Sequence, residues 1–120
     1  MTNQEVFDRV AHHLLQQGEP ALRHGRVVIQ TRRYPVQKSA IGCLIEEGQY
    51  TPACELTPAY REGLLQRSGI NLEESGELLE ELEHIHDCEA SENWLTALQS
   101  VADEFELNQT VLEQVGAEVA

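Results

Sequence analysis

The sequence predicts an α+β domain, mostly α: a bundle of four to five short helices with a small β-hairpin-like segment near residues 26–46. Three observations carry that prediction. Apolar residues recur at helical spacing in several stretches, each time on one side only. One stretch, residues 26–34, is dense in β-branched side chains. No internal repeat or low-complexity linker divides the 120 residues, so 1–115 are expected to form one compact domain, with 116–120 fraying. One-sided helices must bury their stripes against one another, and the hairpin should cover an end or face of the bundle.

The first helix is the clearest. Thr2-Asn3-Gln4-Glu5 fits a capping box, in which the Thr2 hydroxyl meets an orphan amide and Glu5 reaches back. Val6, Phe7, Val10, Ala11, Leu14 and Leu15 then follow at helical spacing to Gln17, and Gly18 with Pro20 stops the helix. Residues 26–34 read as a strand, ended by Pro35, which has no ladder donor. Residues 38–46 form a second apolar run, able to return antiparallel to the first or to begin a helix. Gly42 within it marks a bulge or a close approach of another backbone.

Downstream the chain is helical. Thr57-Pro58 starts a short helix through Tyr60, Leu64 and Leu65 to Arg67, ended by Gly69. From about Gly76, Leu78, Leu79, Leu82, Ile85 and His86 trace a stripe, while Glu77, Glu80, Glu81 and Glu83 face water. Ser91 caps the next helix, with a stripe of Trp94, Leu95, Leu98, Val101, Ala102 and Phe105. Asn108 caps a last short helix carrying Val111, Leu112 and Val115. With Val119 these form an apolar set that a domain of this size is expected to have trouble burying alone.

Composition narrows the function classes. Hydrophobic residues make up 41% and aromatics only 5%, so aliphatic side chains must build the core. No apolar run approaches the roughly 20 residues of a membrane span, and the first residues lack the layout of a secretion signal. Three widely spaced cysteines, Cys43, Cys54 and Cys88, suit reduced thiols. A cytoplasmic protein without a membrane partner is expected. Net charge is −13, and it is segregated: residues 1–40 hold six basic and three acidic residues (+3), residues 41–120 two basic and 18 acidic (−16). Such a chain repels phosphate backbones, so nucleic acid is an unlikely partner.

Several positions together resemble a family of small uncharacterised bacterial and phage proteins. They are Arg33-Tyr34, the segment Ala40-Ile41-Gly42-Cys43-Leu44-Ile45, Tyr50, and Leu79, Leu82, His86-Asp87, Trp94 and Ala102. The resemblance covers roughly residues 5 to 107 and rests on an Ala-x-Gly-x-Leu-Ile segment with a later Leu-x-x-x-His-Asp before a tryptophan helix. It implies a shared fold and no particular reaction. The chain departs from the pattern at Ser39, where members often carry cysteine, at Glu83, where they carry glutamine, and at Pro35, in place of a glycine turn.

Five constellations could carry chemistry. Cys43, His86 and Asp87 contain the parts of a thiol nucleophile with its base, but adjacent helical side chains diverge by about 100°, so Asp87 should not orient His86. Cys43 then reads as a small core filler. A metal site could draw on His84 and Cys88 at i, i+4, with His86, Asp87 or Cys54 less well placed. His86 on the apolar stripe reads as a structural histidine, answered by a backbone carbonyl or by Tyr34 or Tyr50. The basic cluster Arg23, His24, Arg26, Arg32, Arg33 and Lys38 should pair with the chain's own glutamates or else form an anion- or partner-binding face. On the second reading the binding residues are Arg26, Arg32, Arg33, Tyr34 and Tyr50. The glutamate-rich helix is a solvated face.

No phosphate loop, nucleophile elbow or paired-ligand motif is found, and no cofactor is expected. These features point to a non-catalytic protein–protein interaction or regulatory module, phage-related in kind, whose partner is another protein or a second copy in a homodimer. The alternatives are a small Cys/His- or metal-dependent hydrolase built on Cys43, His86 and Asp87, and an acidic DNA mimic.

Overall fold

The computed structural model describes residues 1–119, with side chains described through Gly116. The fold is α+β and mostly α, with a two-stranded antiparallel hairpin set against helices. Helix α1 (Asn3–Gln17) forms where the stripe predicts it. Its capping box is complete, with the Glu5 amide donating to Thr2 Oγ1 and the Thr2 amide to Glu5 Oε1, each at 3.1 Å. Gly18, at φ 72°, ends the helix in the left-handed region open to glycine.

Strands β1 (Leu22–Arg23) and β2 (Arg26–Val27) follow, in the register Leu22↔Val27 and Arg23↔Arg26. The strand expected over 26–34 therefore stops at Val27, and its partner is the segment before it rather than residues 38–46. Two local causes explain the shift. His24 and Gly25 both hold positive φ (54° and 76°), closing a two-residue hairpin turn that matches strand twist. Beyond Val28, the Glu55 carboxylate takes the amides of Ile29 (2.9 Å) and Gln30 (3.2 Å), which a ladder would have used. The antiparallel return survives in short form. Ser39 donates to the Ile29 carbonyl and Thr31 to that of Gln37, each at 2.9 Å, around a Gln30–Lys38 bridge. Residues Gly42–Leu44 form one 3₁₀ turn, neither strand nor α-helix.

Helices α2 (Ala53–Leu56) and α3 (Pro58–Arg67) are short, and α2 has no apolar periodicity to announce it. Helix α4 (Leu72–Cys88) begins before Gly76, because Asn71 Oδ1 accepts the amides of Glu73 and Glu74 and caps it. A 3₁₀ turn at Ser91–Asn93 leads into α5 (Trp94–Glu104), so Ser91 opens that turn instead of capping the helix. Helix α6 (Thr110–Val119) includes Gly116, and Asn108 Oδ1 accepts the Thr110 amide at 2.7 Å near its start.

Helix α1 lies at the centre, packed against α4, α5 and α6. Its Val6, Phe7, Val10, Ala11 and Leu14 meet Leu78, Leu82, Leu98, Ala102 and Val115 in one core, all wholly buried. Each leucine there contributes about 1.5–3 kcal/mol by burial. Gln4 joins α1 to the start of α6 by donating to the Asn108 carbonyl and accepting its amide. Val111, Leu112 and Val115 are buried within the single chain, which removes the expectation that they need a partner. The Val119 side chain lies outside the described residues. Among the described residues no helix is long and apolar enough to cross a membrane.

Candidate functional site

Two places gather chemistry: a polar cluster on α4 beneath residues 39–45, and the exposed basic arm formed by residues 22–36. The cluster begins with Gly42. A Cβ there would stand 2.1 Å from the Ile29 carbonyl oxygen, so only glycine allows this approach of two backbones. From α1, Gln17 grips both the amide and the carbonyl of Lys38, and His13 Nε2–H donates to the same carbonyl at 2.8 Å. Residues 39–45 are thereby laid across α4.

Glu83 receives them. The Ser39 hydroxyl donates to its Oε2 at 2.9 Å and the Ile41 amide to its Oε1 at 3.3 Å. Glu83 is thus half-buried and does not face water with Glu77 and Glu80, as the sequence suggested. Burial, reinforced by the negative charge of Asp87, pushes its carboxyl up to about 7 against the opposing pull of the Ile41 and Ser39 bonds.

His86 is buried at 1% exposure, against the Trp94 ring at 6.0 Å between centroids. The Ala21 amide donates to Nε2 at 2.9 Å, and Nδ1 lies 2.7 Å from Asp87 Oδ1. An amide can only donate, so Nε2 is the acceptor and the ring proton sits on Nδ1, donated to Asp87. The answering groups are therefore an amide and a carboxylate, not a carbonyl or a tyrosine. Tyr34 is 95% exposed, and the Tyr50 hydroxyl donates to Glu55 at 2.6 Å. Burial, and then that bond, push the Tyr50 phenol up to about 12. The His86–Asp87 contact also overturns the geometric argument against it. Nδ1 is the ring nitrogen nearer the backbone, within reach of a neighbour's short carboxylate despite the 100° between successive side chains.

Cys43 stands apart from this pair. Its thiol donates to the Ala40 carbonyl at 3.1 Å, and burial pushes it up to about 12, far from the thiolate a nucleophile needs. With Nε2 filled by Ala21, His86 has no site to accept a proton from it. His84 and Cys88 are both exposed, and Cys54 is buried in the core. Among the described residues, the potential metal ligands that cluster are Glu83, His86 and Asp87, whose ligand atoms lie within 4.8 Å. An ion on Nδ1 would send the ring proton to Nε2, head-on against the Ala21 amide. The trio is a hydrogen-bonded network rather than a cation cradle. Glu83 and Asp87, but not His86, border a cavity of about 530 Å³ whose walls also include Arg61, Leu65 and Leu79.

The arm has the opposite character. Arg23, Arg26, Arg32 and Arg33 are all exposed, beside exposed Leu22, Val27, Tyr34 and Val36. Among the described residues none of these arginines lies within 4.0 Å of a carboxylate; the basic residue of this region that pairs is Lys38, with Glu47 at 3.5 Å. The expected neutralisation by the chain's own glutamate-rich helices does not occur. A cavity of about 340 Å³ opens among Leu22, Arg23, His24, Thr31, Arg32 and Arg33. Arg26 and Tyr34 lie outside its lining, and Tyr50 is tied to Glu55.

Sequence reasoning missed two residues, Glu55 and Glu83. The signal for Glu83 was its spacing, since Glu83, His86 and Asp87 fall at i, i+3 and i+4 on one helical face. Glu55 carried no such signal. Comparison with family models, curated proteins and solved structures gives no match.

Proposed function

We propose that this chain is a non-catalytic protein–protein interaction module of the cytoplasm, acting through the arm at residues 22–36, and that the occupant is a second copy of the chain. The observation that carries this reading is the set of four exposed arginines without a carboxylate within 4.0 Å among the described residues, in a molecule of net charge −13. Tyrosine and arginine are the side chains that most often anchor protein contacts, and Tyr34 with Leu22 and Val36 adds apolar area.

The complementary surface is on the same chain. On α4 and α5, Glu81 is raised above its ordinary value by the hydrogen bond that its protonated form donates to Glu104, by burial and by the Glu104 charge. That face is rich in glutamates as the arm is rich in arginines, and a two-fold pairing satisfies both at once. At about 0.15 M salt the screening length is about 8 Å, so local complementarity outweighs the repulsion of two acidic molecules.

Support for a thiol-dependent hydrolase is weak, because Cys43 is protonated and His86 is committed on both nitrogens. Sedimentation velocity tests the reading. Dimer at about 0.15 M salt, reverting to monomer at about 1 M and in Arg32→Glu/Arg33→Glu, is the expected result. A protein that stays monomeric at about 100 μM and about 0.15 M salt overturns it.

A further inference from the structure

The cavity of the arm has a chemistry of its own. Its polar lining residues are Arg23, His24, Thr31, Arg32 and Arg33, beside Leu22. Guanidinium groups only donate hydrogen bonds. Thr31 Oγ1 already accepts the Gln37 amide at 2.8 Å, which leaves its hydroxyl proton to donate. No carboxylate lines the cavity, so the wall presents donors and positive charge.

The walls are also fixed in place. On one side the hairpin is closed by the His24-Gly25 turn and anchored by the Val28 amide on the Ala21 carbonyl at 3.0 Å, with Ala21 itself tied to His86. On the other, Thr31 is bonded to Gln37 through both backbone and side chain. Arg23 faces Arg26 across the ladder, and Arg32 adjoins Arg33. Like charges placed so closely weaken a hairpin unless something between them is negative.

A lining with three arginines, rich in donors and without a carboxylate, fits a ligand that accepts hydrogen bonds and carries negative charge. We propose that this cavity is a receptor for a phosphate monoester, with Arg32 and Arg33 on the phosphoryl oxygens, Thr31 donating to a further oxygen, and Leu22 against the carrier group. Planar guanidinium groups bind phosphate through paired, charge-assisted bonds, and its three terminal oxygens, against two on a carboxylate, can engage two guanidinium groups and a hydroxyl at once. The cavity exceeds a bare phosphate, so the ester's organic part contributes to binding. This builds on the arm being the contact surface, but it does not require a second copy of the chain.

The test is titration of the full chain at about 0.15 M salt, at a protein concentration low enough that it is monomeric, with phenyl phosphate, inorganic phosphate and a phosphotyrosine peptide, read by amide NMR shifts. Saturable one-to-one shifts centred on residues 22–33 are expected. Binding should weaken by about tenfold or more in Arg32→Gln/Arg33→Gln and stay unchanged in Arg67→Gln. Tighter binding of the ester than of inorganic phosphate assigns the ligand to a phosphorylated molecule; equal or weaker binding assigns the cavity to the free anion and overturns the ester receptor. Shifts that do not saturate, or that persist in the Arg32→Gln/Arg33→Gln protein, overturn it. Failure here leaves the sedimentation result standing, and a monomeric protein can still bind phenyl phosphate.

Discussion

The Ala21 amide and His86 Nε2, 2.9 Å apart, decide what the buried imidazole does. By filling the acceptor nitrogen, that bond places the ring proton on Nδ1 and directs it to Asp87. It also fastens the base of the hairpin to α4, so one side chain positions both the polar cluster and the arm.

Long-range ¹H–¹⁵N spectra of the histidines should therefore show His86 as the Nδ1–H tautomer at neutral pH, unchanged by equimolar zinc. An Nε2–H tautomer would refute the assignment. His86→Ala should cost about 3 kcal/mol or more in urea unfolding, because it opens a cavity and leaves a buried amide and a carboxylate without their partner. A cost under about 1 kcal/mol would show that the hairpin is held by other contacts.

Glu83→Gln should stabilise the protein at pH 8. The folded-state value of Glu83 lies near 7, above its ordinary 4.5, so the unfolded chain ionises first as pH rises. Stability is therefore lost between about pH 4.5 and 7 and stays low above that window. Glutamine keeps a carbonyl to accept the Ile41 amide, and its NH2 group faces the Ser39 hydroxyl, whose oxygen can accept from it. A gain of about 1–3 kcal/mol at pH 8, shrinking towards zero at pH 4, is expected from urea midpoints. A variant weaker than wild type at pH 8 would contradict this.

Gly42→Ala should be among the most damaging single changes. Its methyl would stand 2.1 Å from the Ile29 oxygen, and that backbone is held by Ser39 and Glu55 on either side. A loss of about 3 kcal/mol is expected by thermal unfolding. An unchanged melting temperature would mean that the two segments do not touch in solution.

Alkylation should separate the cysteines. At pH 7.5 iodoacetamide should modify exposed Cys88 and spare Cys43, whose thiol stays protonated to about 12. Because the unfolded thiol ionises near 9 and the folded one does not, Cys43 costs the fold about 1.4 kcal/mol per pH unit between about 9 and 12. Mass spectrometry showing Cys43 modified as fast as Cys88 would reverse its assignment as a packed thiol.

Legibility from sequence followed the range of the forces involved. Helix α1 was readable because its cap, stripe and stop signal are all local, and Gly42 because close backbone approach leaves glycine as the one residue that fits. The strand at 26–34 was over-read, since β-branched side chains favour extended backbone without saying which carboxylate, here Glu55, takes the amides. Glu83 was placed in water because its neighbours Glu80 and Glu81 set the pattern; the segment that buries it arrives from more than 40 residues away in the chain. The pairing of His86 with Asp87 was lost to a rule about side-chain directions that ignores how short the bridge between them is.

The bracket that Gln4 places on Asn108 bears on how the molecule is made. Helix α1 is synthesised before all the helices that cover it, α4 and α5 first, and the last part of its greasy side stays open until α6 emerges from the ribosome and docks beside it. During that interval the nascent chain has a sticky helix only partly covered, and any pause in translation ahead of Thr110 prolongs the period in which it is vulnerable to aggregation.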